Sequence, residues 1–195
     1  MFDGRWRTSV EQGLKPIGSS LERTGIRPDH LTVAGLVVAV ACAVAIAQGH
    51  LVLGVVLLAA SALPDLLDGA VARARGGGSV RGAFFDSVAD RVTDALVLGG
   101  IGWYLAAEHG GQAAMLPFAV LGVSMLISYE RAKAEALGFS AKGGLMERAE
   151  RIIAIAVGLA FSVVLVPVLW LMLALTTLTA VQRFITVWRQ ASQPR

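Results

Sequence analysis

Apolar residues along this chain gather into long runs instead of alternating or recurring in short amphipathic stretches. A helix that crosses a bilayer needs about 20 mostly apolar residues, and windows of that kind fall at residues 31–48, 51–72, 84–107, 113–133, 148–165 and 167–187. Six spanning helices are therefore expected. The last division rests on Pro167, because the uncharged run from Ile152 to Gln182 is too long for one ordinary span and too short for two isolated ones. A proline cannot continue the backbone hydrogen-bond ladder, so a tight turn near Val164 to Val168 is expected to join two helices whose far ends extend into charged sequence. Ahead of the first window Phe2, Trp6, Val10, Leu14, Ile17 and Leu21 recur every three or four residues. That period predicts an amphipathic helix over residues 1–26 lying in the headgroup plane. Asp3, Arg5, Arg7, Glu11 and Lys15 interrupt any signal-peptide core, and Arg27-Pro28-Asp29 breaks the helix before the first span. With no internal repeat or linker, residues 1–195 read as a single all-α membrane domain.

Composition agrees, since 55% of the 195 residues are hydrophobic and 16% are charged, too apolar for an ordinary soluble domain. Charge placement tests the number of spans independently, because cytoplasmic loops are enriched in Lys and Arg. Arg5, Arg7, Lys15, Arg23 and Arg27 precede the first span, and Arg73, Arg75, Arg81 and Arg91 surround the second connection. Arg131, Lys133, Lys142, Arg148 and Arg151 surround the fourth, and Arg183, Arg189 and Arg195 lie at or beyond the end of the last. These are all 17 basic residues. The opposite connections, near Gln48 to His50, Ala106 to Gln112 and Val164 to Val168, hold none. An even number of spans then puts both termini on the cytoplasmic side of a cell membrane. The net charge of +3 reads as topology and phosphate handling, not as a nucleic-acid interface. A lone Cys42 excludes an internal disulfide and reads as a packed small residue.

Within this apolar background five aspartates stand out. Asp65, Asp68, Asp86, Asp90 and Asp94 sit in or at the ends of the second and third windows, where a carboxylate costs about 2.5 to 3.5 kcal/mol on insertion scales. Asp65 and Asp68 are i, i+3 and share one helix face; Asp86, Asp90 and Asp94 are i, i+4, i+8 and share another. Brought together, Asp65, Asp68, Asp86 and Asp90 would repel unless multivalent cations sat between them. Hard oxygen ligands favour Mg²⁺ or Mn²⁺, whereas scattered His30, His50 and His109 with a single cysteine argue against a Cys/His zinc site. A pair of such metals suits phosphoryl transfer. The purely structural alternative is an Asp/Arg ion-pair network with Arg73 and Arg91. Gly69 and Ala72 leave the backbone beside Asp68 unshielded, Gly76-Gly77-Gly78-Ser79 makes a pliable connection, and Arg73, Ser79 and Arg81 offer phosphate donors next to it.

Taken together the segment reads Asp65-Leu-Leu-Asp68-Gly69-Ala-Val-Ala72-Arg73, eight residues, Gly82-Ala-Phe-Phe-Asp86-Ser-Val-Ala-Asp90. It resembles DxxDGxxAR followed by GxxxDxxxD, the signature of the CDP-alcohol phosphotransferase family. The resemblance implies a six-helix membrane fold, commonly homodimeric, preceded by an interfacial helix. It implies that Asp65, Asp68 and Asp86 are metal ligands, Asp90 a ligand or the general base, and Gly69, Arg73 and Ser79 contacts of CDP-diacylglycerol. Pro28-Asp29-His30-Leu31-Thr32 looks like the PDxxT stretch that helps hold the nucleotide, which brings in Asp29 and Thr32. Asp94 lies outside the signature and is expected to support the ligands from behind.

The second half bears on the acceptor alcohol. Ser128-Tyr-Glu-Arg131-Ala-Lys133-Ala-Glu135, Glu147-Arg148-Ala-Glu150-Arg151 and Val181-Gln182-Arg183 are similar to segments of bacterial phosphatidylinositol phosphate synthases. There cations matching Arg131, Arg151 and Arg183 bind the phosphate of the acceptor, which implies 1D-myo-inositol 3-phosphate. Arg131 stands where many such enzymes have Lys, and Lys133 where they have Arg; a planar fork and a point charge are not interchangeable. Glycerol 3-phosphate, as used by phosphatidylglycerophosphate synthases, is the alternative acceptor, and positive-inside bias with Glu147 and Glu150 as partners is the plain structural reading of the cluster. A metal- or proton-coupled transporter is the non-enzymatic reading. The acids crowd toward one face of the membrane and the opposite half lacks ionisable residues, which argues against a path across.

Overall fold

The computed structural model describes residues 28–74, 79–141 and 143–193, with the side chains of residues 65–74 outside the description. The expected amphipathic helix over residues 1–26 lies outside the described residues. Those described form six helices and no strand: α1 Pro28–Ala47, α2 Leu51–Ala74, α3 Val80–His109, α4 Met115–Ala136, α5 Arg148–Ala160 and α6 Ser162–Ala191. Three are long and apolar enough to cross a membrane: α1, α4 and α6. The apolar part of α2 stops at Pro64, where the acidic segment begins. At about 1.5 Å per residue the 13 residues of α5 reach only about 20 Å, less than the hydrocarbon thickness.

The chain divides into two compact units after Val97, inside α3. In the first, α1 packs along α2 through Thr32, Gly35, Ala39, Cys42 and Ile46, a three-four spacing of mostly small residues. A Cβ on Gly35 would lie 3.3 Å from the Ser61 carbonyl oxygen and 3.4 Å from the Pro64 ring, so the backbones approach as membrane helices with small-residue seams do. Cys42 is buried in this seam and its thiol donates to the Gly54 carbonyl at 3.3 Å. The turn into α2 is a glycine cap: Gly49 has φ 81°, and the amides of Gly49 and His50 donate to Ile46 and Ala45, satisfying carbonyls the helix end leaves open.

In the second unit α4 and α5 pack on α6. The buried stripe of α6 runs Leu165, Leu169, Met172, Thr176, Thr179, Arg183, from hydrocarbon through hydroxyls to a cation. α4 ends in a second glycine cap, with Gly138 at φ 79° and Phe139 donating to Ala134 at 2.8 Å.

The α5–α6 turn corrects the expected one. The break is at Phe161 (φ −124°, ψ 83°), and Pro167 lies inside α6. At the sixth position of α6 the proline removes one backbone hydrogen bond, and the helix continues through it. The fold-back point is set by Gly158, where a Cβ would lie 2.9 Å from Leu165 Cδ1 and 3.4 Å from Leu165 Cα.

Candidate active site

The first unit carries the acidic signature. Asp65, Asp68, Gly69 and Arg73 all fall on α2, the two acids one turn apart. Asp86, Asp90 and Asp94 follow at four-residue steps on α3, and all three engage in polar or electrostatic contacts. Arg91 turns back along the helix, donating to the Ser87 carbonyl at 2.7 Å and to Asp90 Oδ2 at a long 3.4 Å. Ser79 caps α3: its Oγ accepts the Gly82 amide at 2.9 Å, and a Cβ on Gly82 would come within 3.1 Å of that oxygen. With its lone pair engaged, the Ser79 hydroxyl still has a proton to give to a phosphate oxygen.

Asp29 and Arg81 form an ion pair at 3.0 Å, tying the first turn of α1 to the first turn of α3. In sequence the two read as separate nucleotide and phosphate contacts, and no spacing rule links residues 52 positions apart. Thr32 is buried and its hydroxyl donates to the Pro28 carbonyl at 3.2 Å, fixing the turn that carries Asp29.

Among the described residues no three His, Cys, Asp or Glu side chains converge as a metal site; the carboxyls of Asp65 and Asp68 fall outside the description. The donor set fits a hard divalent cation nonetheless. Two acids, Asp86 and Asp90, stand one turn apart on α3, and two more, Asp65 and Asp68, fall three residues apart in the α2 sequence, with no sulfur and no imidazole in the signature.

The second unit holds the expected acceptor cations in unequal settings. Arg131 is about half exposed and bonded along its own helix to Glu135 at 3.0 Å. Arg151 is buried at 5% exposure and engaged in polar contacts. Arg183, 6% exposed, engages each of its three nitrogens: Nε donates to the Gly143 carbonyl at 2.9 Å, Nη1 to the Ile127 carbonyl at 3.2 Å and Nη2 to Glu147 at 2.9 Å. Glu130 and Arg131 lie within electrostatic reach of it. A pocket of about 290 Å³ opens beside it, lined by Ala141, Gly143, Gly144, Gln182, Arg183 and Thr186. Arg131 and Arg151 are not part of that lining.

The wall of this pocket is the α4–α5 connection, which runs antiparallel along α6 on three rungs. Ser140 exchanges two hydrogen bonds with the Gln190 amide, at 3.0 and 2.7 Å. Gly143 meets Arg183, and the amides of Leu145 and Met146 both donate to Thr179 Oγ1, at 3.2 and 3.1 Å. Gly144 has φ 151°, and a Cβ there would run into the Thr179 methyl. Thr179 and Gln190 give no signal in the sequence, since a buried threonine in an apolar helix carries no motif.

The profile of the CDP-alcohol phosphatidyltransferase family matches residues 26–188, and the chain belongs to that family. It is therefore an enzyme of phosphatidyl transfer, and the transporter reading falls. The phosphatidylinositol phosphate synthase of Mycobacteroides abscessus is 41% identical over 149 residues, 75% of this chain and 68% of that protein. The one from Corynebacterium glutamicum is 38% identical over 181 residues, 88% of this chain and 82% of that protein. Among solved structures, Mycobacterium tuberculosis phosphatidylinositol phosphate synthase with CDP-DAG bound superposes with a TM-score of 0.84 at 36% identity, covering 90% of this chain and 93% of that one. The same synthase in complex with manganese and citrate gives 0.82 at 35%, covering 90% and 88%.

Proposed function

We propose that this enzyme transfers the phosphatidyl group of CDP-diacylglycerol to 1D-myo-inositol 3-phosphate, giving phosphatidylinositol phosphate and CMP. What carries the reading is the pairing, in one chain, of the acidic signature with a buried arginine at a pocket in the second unit. Its relatives of 38–41% identity bear the name of that activity.

The acceptor hydroxyl attacks the phosphatidyl phosphorus, its proton passing to the Asp90 carboxylate as the new P–O bond forms and the bond to CMP breaks. A neutral alcohol and an ordinary carboxylate are a weak pair, so the proton moves during attack and not before it. Asp65, Asp68, Asp86 and Asp90 would hold divalent cations, Mg²⁺ or Mn²⁺ and two in number; a manganese complex of the tuberculosis synthase supports this. When bound, such ions neutralise the diphosphate and align the attacking oxygen. Arg73 and Ser79 donate to the diphosphate, Gly69 lets the nucleotide approach the α2 backbone, and Asp29 with Thr32 helps hold it. Arg183, which lines the pocket, would receive the acceptor phosphate, and the family resemblance assigns Arg131 and Arg151, outside that lining, to the same phosphate. Arg183 Nη2 shares its charge between Glu147 and that phosphate.

All six helices cross the membrane in this reading, with the short α5 accommodated by local thinning. Both termini and the site face the cytoplasm, residues 1–26 lie at the interface, and two chains form a homodimer. Glycerol 3-phosphate, whose phosphate would meet the same cations, is the weaker reading, since the relatives at 38–41% identity are phosphatidylinositol phosphate synthases. The deciding experiment supplies purified enzyme with labelled CDP-diacylglycerol and, separately, inositol 3-phosphate, free inositol and glycerol 3-phosphate. CMP is expected with inositol 3-phosphate alone. Release with glycerol 3-phosphate instead would transfer the assignment to the alternative.

A further inference from the structure

One hydroxyl in the second unit is used to its full capacity. Thr179 is wholly buried; its single proton goes to the Leu175 carbonyl at 2.8 Å, and its oxygen accepts the amides of Leu145 and Met146. A hydroxyl has one donor and two acceptor positions, so nothing is left over. Thr176, equally buried one turn earlier, bonds back to Met172 and Leu173 of its own helix. Only the later threonine reaches across to the α4–α5 connection.

What it holds there bears directly on the pocket. Leu145 and Met146 are flanked by Gly143, whose carbonyl accepts from Arg183, and by Glu147, whose carboxylate pairs with it. The two groups that aim the guanidinium thus hang on either side of the Thr179 anchor. The close approach also requires the absence of a side chain at Gly144, whose Cβ would collide with the threonine methyl. Farther along, Gln190 ties down Ser140, so the pocket wall is fixed at both ends by α6.

We infer that Thr179 is a positioning residue for acceptor recognition, acting through Gly143 and Glu147 to set Arg183, with Gln190 as the second anchor of the same wall. This rests on the assignment of Arg183 to the acceptor phosphate. Removing the hydroxyl leaves two buried amides without an acceptor, lets the wall drift and turns the fork away from the pocket. No contact with CDP-diacylglycerol changes.

The test titrates each substrate with the other saturating. In Thr179→Val the KM for inositol 3-phosphate is expected to rise about tenfold, the scale set by losing buried hydrogen-bond acceptors, while the KM for CDP-diacylglycerol stays within about twofold. Thr179→Ser, which keeps the oxygen, should restore the acceptor KM. An unchanged acceptor KM in Thr179→Val, or a parallel rise for both substrates, overturns the inference. Should Thr179→Val fail to fold, Gln190→Leu decides: a rise confined to the acceptor supports the anchored wall, and no rise overturns it. Arg183→Lys separates the two levels. If it raises the acceptor KM while the Thr179 and Gln190 variants do not, positioning alone is wrong; if it leaves the acceptor KM unchanged, the acceptor assignment falls as well.

Discussion

Arg183→Lys is the most informative single change, because the fork of Arg183 is divided among three partners on two segments: Ile127 on α4, and Gly143 and Glu147 on the α4–α5 connection. An ammonium is a point charge and cannot reproduce a planar fork. It would keep Glu147 or one carbonyl and release the others. Two lost hydrogen bonds from a charged donor are worth about 3 to 6 kcal/mol at the upper limit, and partial repair by the lysine brings the expected loss to about 3 kcal/mol. For a chain of this length each kcal/mol moves the midpoint by about 2–4 °C, so thermal unfolding in one detergent at one scan rate should fall by roughly 6–12 °C. The KM for inositol 3-phosphate should rise roughly ten- to hundredfold, the equivalent of about 1.5 to 3 kcal/mol. A midpoint within about 2 °C of wild type would refute the internal clamp. The cation would then be a solvated headgroup whose three contacts contribute nothing.

Asp68→Asn should abolish CMP release and weaken Mn²⁺ binding measured by electron paramagnetic resonance; full activity would remove the metal-site reading. Cysteines introduced as Gly111→Cys and Arg195→Cys should label from opposite faces of intact vesicles, with buried Cys42 silent, and same-face labelling would sink an even number of crossings. Arg81→Ala removes an exposed ion pair of the kind worth about 0.2 to 1 kcal/mol. Its unfolding midpoint should hardly move while the KM for CDP-diacylglycerol rises, and an unchanged donor KM would take Arg81 and its pairing with Asp29 out of nucleotide binding.

The acidic faces are legible in sequence because carboxylates cost so much in hydrocarbon that a four-residue spacing of them persists only where chemistry requires it; Asp86, Asp90 and Asp94 duly follow one face of α3. Pro28 reads in sequence as part of a break ahead of the first span, whereas the described part of α1 already includes Pro28 and Asp29. Pro167 misleads likewise: a proline reads as a helix boundary, yet here it is carried inside α6, and the packing of Gly158 on Leu165 places the turn ahead of it. The role of Arg183 is half legible. Its charge at the end of an apolar run marks it as a candidate phosphate ligand, but its carbonyl partners, Ile127 and Gly143, are backbone atoms whose positions no residue type reports. Thr179 is illegible for the same reason, as its partners are amides 33 and 34 residues away.

The antiparallel rungs between the α4–α5 connection and α6 tie two lengths together. From Arg183 to Gln190 the helix rises roughly 10 Å, and the matching rungs on the connection are Gly143 and Ser140. Evolution can exchange side chains along either segment freely at the positions between rungs. It cannot insert or delete a single residue in one without rotating Thr179, Arg183 or Gln190 out of register with the other, by about 100° on the helix. Homologues should therefore keep the interval from residue 140 to 146 and the interval from 179 to 190 constant, or change both in a compensating step, whereas the α3–α4 turn, which bears no such rungs among the described residues, is open to length variation.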